Sequence, residues 1–227
     1  MSDPTQISAS LYLWLHTINN WLIFFLAAIL VFIYNPLQGN KVFFNRTSQI
    51  QVTSASIPLT SGFDFKFTTC IGGAMFYQFG ENRDFILFEL RPTKVEYTAT
   101  DSIFTPSTLH IAWNVSGVPG FVELGKGLDK NIEYKVTFKP GSSSVNTSIE
   151  LGGPSVTLSS QLPKEILAFR YRGPLIAGST GSSRVDAFVG CLASGTNILL
   201  DPNGSGATDV KAGCPLDSQS GCPKRSK

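Results

Sequence analysis

The chain has 227 residues, enough for one all-β domain with an appendage and too few for two comfortable domains. Charged residues make up 15% and hydrophobic residues 42%, with 17 phenylalanines, which excludes a charged disordered chain and a Glu/Lys/Ala-rich coiled coil. A net charge of +2 makes no compositional case for nucleic acid, and two histidines leave little for histidine catalysis or a zinc site.

Residues 1–20 read as a short N-terminal segment, followed over 21–40 by a hydrophobic helix. All 18 Lys and Arg residues lie at position 41 or beyond, and Asp3 is the single acid before it. Trp21–Tyr34 has no polar group except the tyrosine hydroxyl. A spanning helix needs about 20 mostly apolar residues and a signal-peptide core about 7–15. The strict core suits a cleaved signal, whereas the apolar-leaning run from Leu11 suits an uncleaved transmembrane signal-anchor. A small-x-small cleavage site is missing at Ile33–Leu37, which favours the anchor. Lys41 and Arg46 follow the segment, so the positive-inside rule places the body in the cytoplasm.

Two features overrule that placement. Asn45-Arg-Thr, Asn114-Val-Ser, Asn146-Thr-Ser and Asn203-Gly-Ser fit the N-glycosylation acceptor pattern. The four cysteines, Cys70, Cys191, Cys214 and Cys222, are an even number suited to an oxidising compartment. They allow three pairings. Cys191 with Cys214 is preferred, because it closes a Gly/Asp/Asn-rich loop with little apolar material of its own. Cys70 and Cys222 are left over.

After residue 40 the dominant period is two. Phe63, Phe65 and Phe67 alternate with Asp64 and Lys66, and Asp84–Leu90 reads as a central strand apolar on both faces. Leu109, Ile111 and Trp113 alternate with His110 and Ala112, and Tyr134, Val136 and Phe138 with Lys135 and Thr137. Leu167, Phe169 and Tyr171 alternate with Arg170 and Arg172, which predicts one more strand. Gly, Pro, Ser and Asn punctuate these runs at short intervals. The fold class is therefore all-β, a two-sheet antiparallel β-sandwich behind one N-terminal hydrophobic helix. The domain spans 41–214 and leaves a polar C-terminal tail over 215–227.

Residues 41–214 resemble a laminin G-like domain of the laminin, neurexin and agrin type. Val42–Gln51 looks like that family's first strand, and Phe63–Thr69 like its "sFrT" strand. Ala74–Gly80 with Asp84–Leu90 looks like its "glLlY…dflaleL" pair, and Ala187-Phe-Val-Gly-Cys191 is similar to its "FvGCi". The resemblance implies a concanavalin A-like jelly roll and a disulfide from Cys191 to a later cysteine, here Cys214. There are departures. The family's "DGxWHxV" is replaced by Leu128–Tyr134. The loop that often carries a calcium-binding aspartate is Ser116–Gly120, without a carboxylate, so no family-type calcium site and no cofactor are expected. Glu123, the nearest carboxylate, is expected at a solvent-facing strand position.

Catalysis finds little support. A glycosidase needs two carboxyl groups about 5–9.5 Å apart. No ExDxxE motif occurs, and the turn signal Arg91-Pro92 separates Glu89 from Glu96. His110, the one histidine outside the hydrophobic segment, has no Gly-x-Ser-x-Gly beside it and reads as a surface or paired strand residue. The expected function is a non-catalytic extracellular recognition or adhesion module, membrane-anchored through the N-terminal segment or secreted, with a protein or glycan partner. The alternatives are a lectin-like saccharide-binding domain and, behind it, a jelly-roll glycoside hydrolase. Arg170 and Arg172, with Lys164 and Arg184, form a candidate stripe for sulfated glycan, although an ordinary solvated face balanced by Glu165 and Asp186 explains the same residues.

Overall fold

A strand that alternates apolar and polar side chains has one face to bury, and two sheets of such strands bury it against each other. The computed structural model describes residues 41–45, 47–52, 57–92, 95–97, 102–104, 107–129, 132–142, 145–178, 188–204 and 206–214. The expected hydrophobic helix at 21–40, the segment before it and the tail 215–227 lie outside the described residues. Among the described residues no helix is long and apolar enough to cross a membrane.

In chain order the strands are β1 (Lys41–Phe44), β2 (Gln49–Gln51), β3 (Phe63–Ile71), β4 (Gly73–Phe79), β5 (Phe85–Pro92), β6 (Val95–Tyr97), β7 (Ser102–Phe104) and β8 (Ser107–Val115). They continue as β9 (Val118–Leu128), β10 (Glu133–Lys139), β11 (Ser148–Gly152), β12 (Thr157–Gln161), β13 (Ile176–Gly178), β14 (Val189–Ala193) and β15 (Lys211–Ala212). Among the described residues, seven strands form one sheet in the order β12-β11-β10-β3-β14-β1-β15, and six form the other in the order β2-β13-β4-β5-β8-β9. β6 and β7 make a separate hairpin. The strand pairs of both sheets are antiparallel. The all-β sandwich expected from the sequence is the fold found.

Its core is aromatic. Phe63, Phe65 and Phe67 point inward from the seven-stranded sheet and meet Phe76 and Phe88 from the six-stranded one. The ring centroids of Phe65 and Phe76 are 4.7 Å apart, and Phe63 meets Phe88 edge-on at 5.7 Å. Phe138 stacks on Phe63 at 5.2 Å within its own sheet. Each fully buried phenylalanine contributes about 1.5–3 kcal/mol from burial alone.

Two predicted strands are corrected. Val42–Gln51 is not one strand: the chain leaves the seven-stranded sheet after Phe44 and enters the six-stranded sheet at Gln49. The crossing is a local turn in which Asn45 Oδ1 accepts hydrogen bonds from the Thr47 backbone N–H and the Ser48 hydroxyl, both at 2.9 Å. The run Leu167–Tyr171 is not a strand either. Lys164–Ala168 is a 3₁₀ helix entered through Pro163, with Ile166 and Phe169 buried three residues apart. That spacing is one 3₁₀ turn, and Leu167, the residue that suggested a period of two, is only half-buried.

Among the described residues β9 is one edge strand of the six-stranded sheet, and β2 is the other. β9 carries Pro119 and an exposed Lys126, and its pairing with β8 slips between Leu124 and Leu128, where Gly125 has φ +66°.

Cys191 on β14 is bonded to Cys214, with Cα atoms 5.9 Å apart across a separation of 23 residues, as preferred from the sequence. Cys70 is also in a disulfide. Phe43, Cys70, Val189 and Cys191 are buried together on the outer side of the seven-stranded sheet. Replacing both Cys191 and Cys214 by alanine is expected to lower the unfolding free energy by about 3 kcal/mol, read from the urea midpoint.

Candidate recognition surface

The residues that alternate with the core face outward, and the two outer faces differ. On the seven-stranded sheet, Lys41 and Lys66 reach Glu133 at 2.7 and 2.9 Å. Lys135 pairs with Asp64 at 3.3 Å, and Lys139 with Glu150 at 2.6 Å. Burial alone raises the proton affinity of the Glu133 and Asp64 carboxyls. Lys41 and Lys66 at Glu133, and Thr196 and Lys135 at Asp64, outweigh it and hold both below their ordinary values. On this face four lysines are thus ion-paired to three carboxylates, and Lys211 on β15 is exposed beside them.

The outer face of the six-stranded sheet is organised in cross-strand rows set by register. One row runs Tyr77, Leu87, Ala112 and Phe121, and the next Phe79, Phe85, Asn114 and Pro119. Phe79 is 60% exposed and Phe121 65%, and Tyr77 meets Phe79 edge-on at 5.5 Å. A third row holds Glu89, His110 and Glu123.

Within that third row two polar groups are dry. His110 is 3% exposed and Glu89 6%, although both face away from the core. Phe121 stacks on the imidazole at 5.1 Å, and Arg91 Nε binds Glu89 Oε1. His110 Nδ1 lies 2.9 Å from the same oxygen without forming a well-directed hydrogen bond, and has no other partner among the described residues. Glu89 is thus held by Arg91 and packed beside His110 within the row. Glu123 is exposed on β9, as expected.

The predicted arginines sit at one end of this face, on an irregular segment rather than a strand. The Glu81 backbone N–H donates to the Arg170 carbonyl at 2.9 Å, and the Arg172 N–H donates to the Phe79 carbonyl at 3.0 Å. Gly80 permits this approach: a Cβ there would stand 2.6 Å from both the Arg170 carbonyl oxygen and the Phe169 ring. The segment thus lies against the turn Glu81–Arg83, which is itself anchored by buried Asp84, whose Oδ2 accepts the Ser116 N–H at 2.9 Å. Arg83, Arg170 and Arg172 are exposed, as is Tyr171, and none of the three arginines is ion-paired among the described residues. Lys164 and Glu165 are exposed on the 3₁₀ helix, while Arg184 and Asp186 lie outside the described residues. Arg83 was not singled out from the sequence, since only the fold sets its turn beside residue 170.

The sequons occupy different settings. Asn45 is half-buried in the sheet-crossing turn, and Asn203 is exposed in the turn Asp201–Gly204. Asn146 is exposed and donates to Gln161 Oε1 at 3.1 Å. Asn114 is half-buried on β8, its Nδ2 donating to the Arg83 carbonyl at 3.3 Å. Among the described residues no group of three or more His, Cys, Asp or Glu is placed to hold a metal ion.

No protein-family model matches the sequence, and no curated protein matches it either. Solved structures do. The mouse laminin α1 chain, domains LG4-5, superposes with a TM-score of 0.52 at 10% identity, covering 76% of this chain and 46% of that one. A heptameric SAP-like pentraxin from Limulus polyphemus follows at TM-score 0.34 and 10% identity, covering 68% and 67%. The basic winged bean lectin with Tn-antigen follows at 0.31 and 13%, covering 66% and 77%. The fold is a two-sheet antiparallel jelly roll like that of the laminin LG domains. The chain spans less than half the length of the laminin chain it matches.

The dry His110 makes a prediction about acid. Burial first, then the Arg91 charge, depress its proton affinity, and Glu89 and Glu123 only partly offset them. The unfolded chain takes up this proton near the ordinary value of 6.5 and the folded chain only at lower pH. His110 therefore contributes stability that is present above 6.5 and lost as the pH falls below it. Urea midpoints measured between pH 7.5 and 5 (roughly the histidine window) should decline, and His110→Gln should flatten that decline. The Glu133 and Asp64 contributions are lost only further down, below their ordinary carboxyl values of 4.5 and 3.8.

Proposed function

We propose that this domain is a non-catalytic recognition module of the cell exterior, held at the membrane by its N-terminal segment or secreted, and that it engages an anionic glycan through Arg83, Arg170 and Arg172. The observation that carries the reading is the contrast in charge pairing. Four lysines of the seven-stranded face, Lys41, Lys66, Lys135 and Lys139, are ion-paired within the fold, whereas three arginines at the end of the other sheet are exposed and without ionic partners among the described residues. Guanidinium groups bind sulfate and carboxylate through paired, charge-assisted hydrogen bonds, and Tyr171 adds an exposed ring between two of them. The sequons and the disulfide support an exported, oxidising setting. The laminin G-like fold supports a binding role, and the engagement of Glu89 by Arg91 supports the absence of hydrolysis.

Retention on immobilised heparin tests it. Arg170→Ala with Arg172→Ala should weaken binding about tenfold or more, since a hydrogen bond to a charged group contributes about 1.5–3 kcal/mol. The paired lysine substitutions should restore only part of the retention. Elution of the double alanine variant at unchanged salt would end the proposal.

A further inference from the structure

In the two outer rows of the six-stranded sheet Phe79 is 60% and Phe121 65% exposed, and Phe85 is half-buried beside Phe79. Adjoining exposed aromatics on a sheet face mark a surface suited to contact. One residue in these rows is not apolar, and it is an acceptor asparagine. Asn114 stands on β8 directly opposite Phe85 on β5 and Pro119 on β9, and Phe79 lies opposite Phe85 on the next strand. Its neighbours in sequence, Trp113 and Val115, point into the core, so the Asn114 side chain projects outward among the aromatics. Asn45, Asn146 and Asn203 all lie outside strands.

We propose that Asn114 carries an N-linked glycan whose first sugars lie across Phe79 and Phe85, closing this apolar face with the chain's own carbohydrate. The inference rests on the exported setting of the preceding reading, though not on the heparin site. The donor is a lipid-linked oligosaccharyl pyrophosphate. A bond forms from Asn114 Nδ2 to the anomeric carbon, the bond from that carbon to the pyrophosphate oxygen breaks, and the amide proton leaves with the lipid pyrophosphate. The product amide keeps one N–H. Unmodified Nδ2 has two long contacts, 3.3 Å to the Arg83 carbonyl and 3.5 Å to Asp84 Oδ1, so the linkage displaces one weak contact and retains a donor for the other. A pyranose ring presents C–H groups on one face, and these are attracted to the electron-rich face of an aromatic ring. Its hydroxyls turn outward, so a greasy surface becomes a hydrated one.

The test uses the full chain expressed in glycosylating eukaryotic cells. Mass spectrometry after glycosidase release in heavy-oxygen water should show Asn114 occupied. Releasing the glycans from the folded protein should raise the fluorescence of a hydrophobic dye such as ANS several-fold. Asn114→Gln should show the same rise before release, whereas Asn146→Gln and Asn203→Gln should not. Adding Phe79→Ser and Phe85→Ser to Asn114→Gln should remove it. Asn114 bare while another sequon is occupied would overturn this inference and leave the exported setting intact. All four bare would overturn both. Occupancy at Asn114 with dye binding unchanged on release would overturn the shielding.

Discussion

The interlocking of phenylalanine rings between the sheets is the interaction on which the rest of the molecule depends. Phe63 and Phe65 cannot be buried unless Phe76 and Phe88 are presented opposite them, and neither set can form without its own sheet. Because side chains alternate on a strand, fixing these residues inward also fixes which residues face outward. Asp64 and Lys66 are placed in the ion-paired lattice of one face, and Tyr77, Leu87 and Phe121 in the apolar rows of the other. The character of both exteriors follows from a core that excludes water between them.

Much of the fold was legible for this reason. The alternation at Phe63–Phe67, Leu109–Trp113 and Tyr134–Phe138 appears as β3, β8 and β10, with the expected residues buried. The failures are equally physical. Val42–Gln51 sets the polar run Asn45–Gln49 between Phe44 and Ile50, but its spacing does not reveal that the Asn45 side chain turns the chain from one sheet to the other. Leu167–Tyr171 mimics a strand because its apolar residues fit a period of two as well as the three-residue turn actually adopted.

The candidate surface was less legible. Arg170 and Arg172 were visible as a charge pair, but their relation to Arg83 depends on backbone hydrogen bonds across about 90 positions of chain. The dryness of His110 and Glu89 comes from a cross-strand alignment with Phe121 that only register can set. A histidine between two apolar residues carries no sign of this. Asn114 was visible as a sequon, while its place among Phe79, Phe85 and Pro119 was not.

The edge strand β9 has one further consequence. An unprotected border strand invites another polypeptide to continue the ladder. Here a missing amide hydrogen at Pro119, a slipped stretch around Gly125 and the charge of Lys126 interrupt what an incoming strand would have to match. That border is thereby a poor template for an added strand, which disfavours growth of the six-stranded sheet into a fibril on this side.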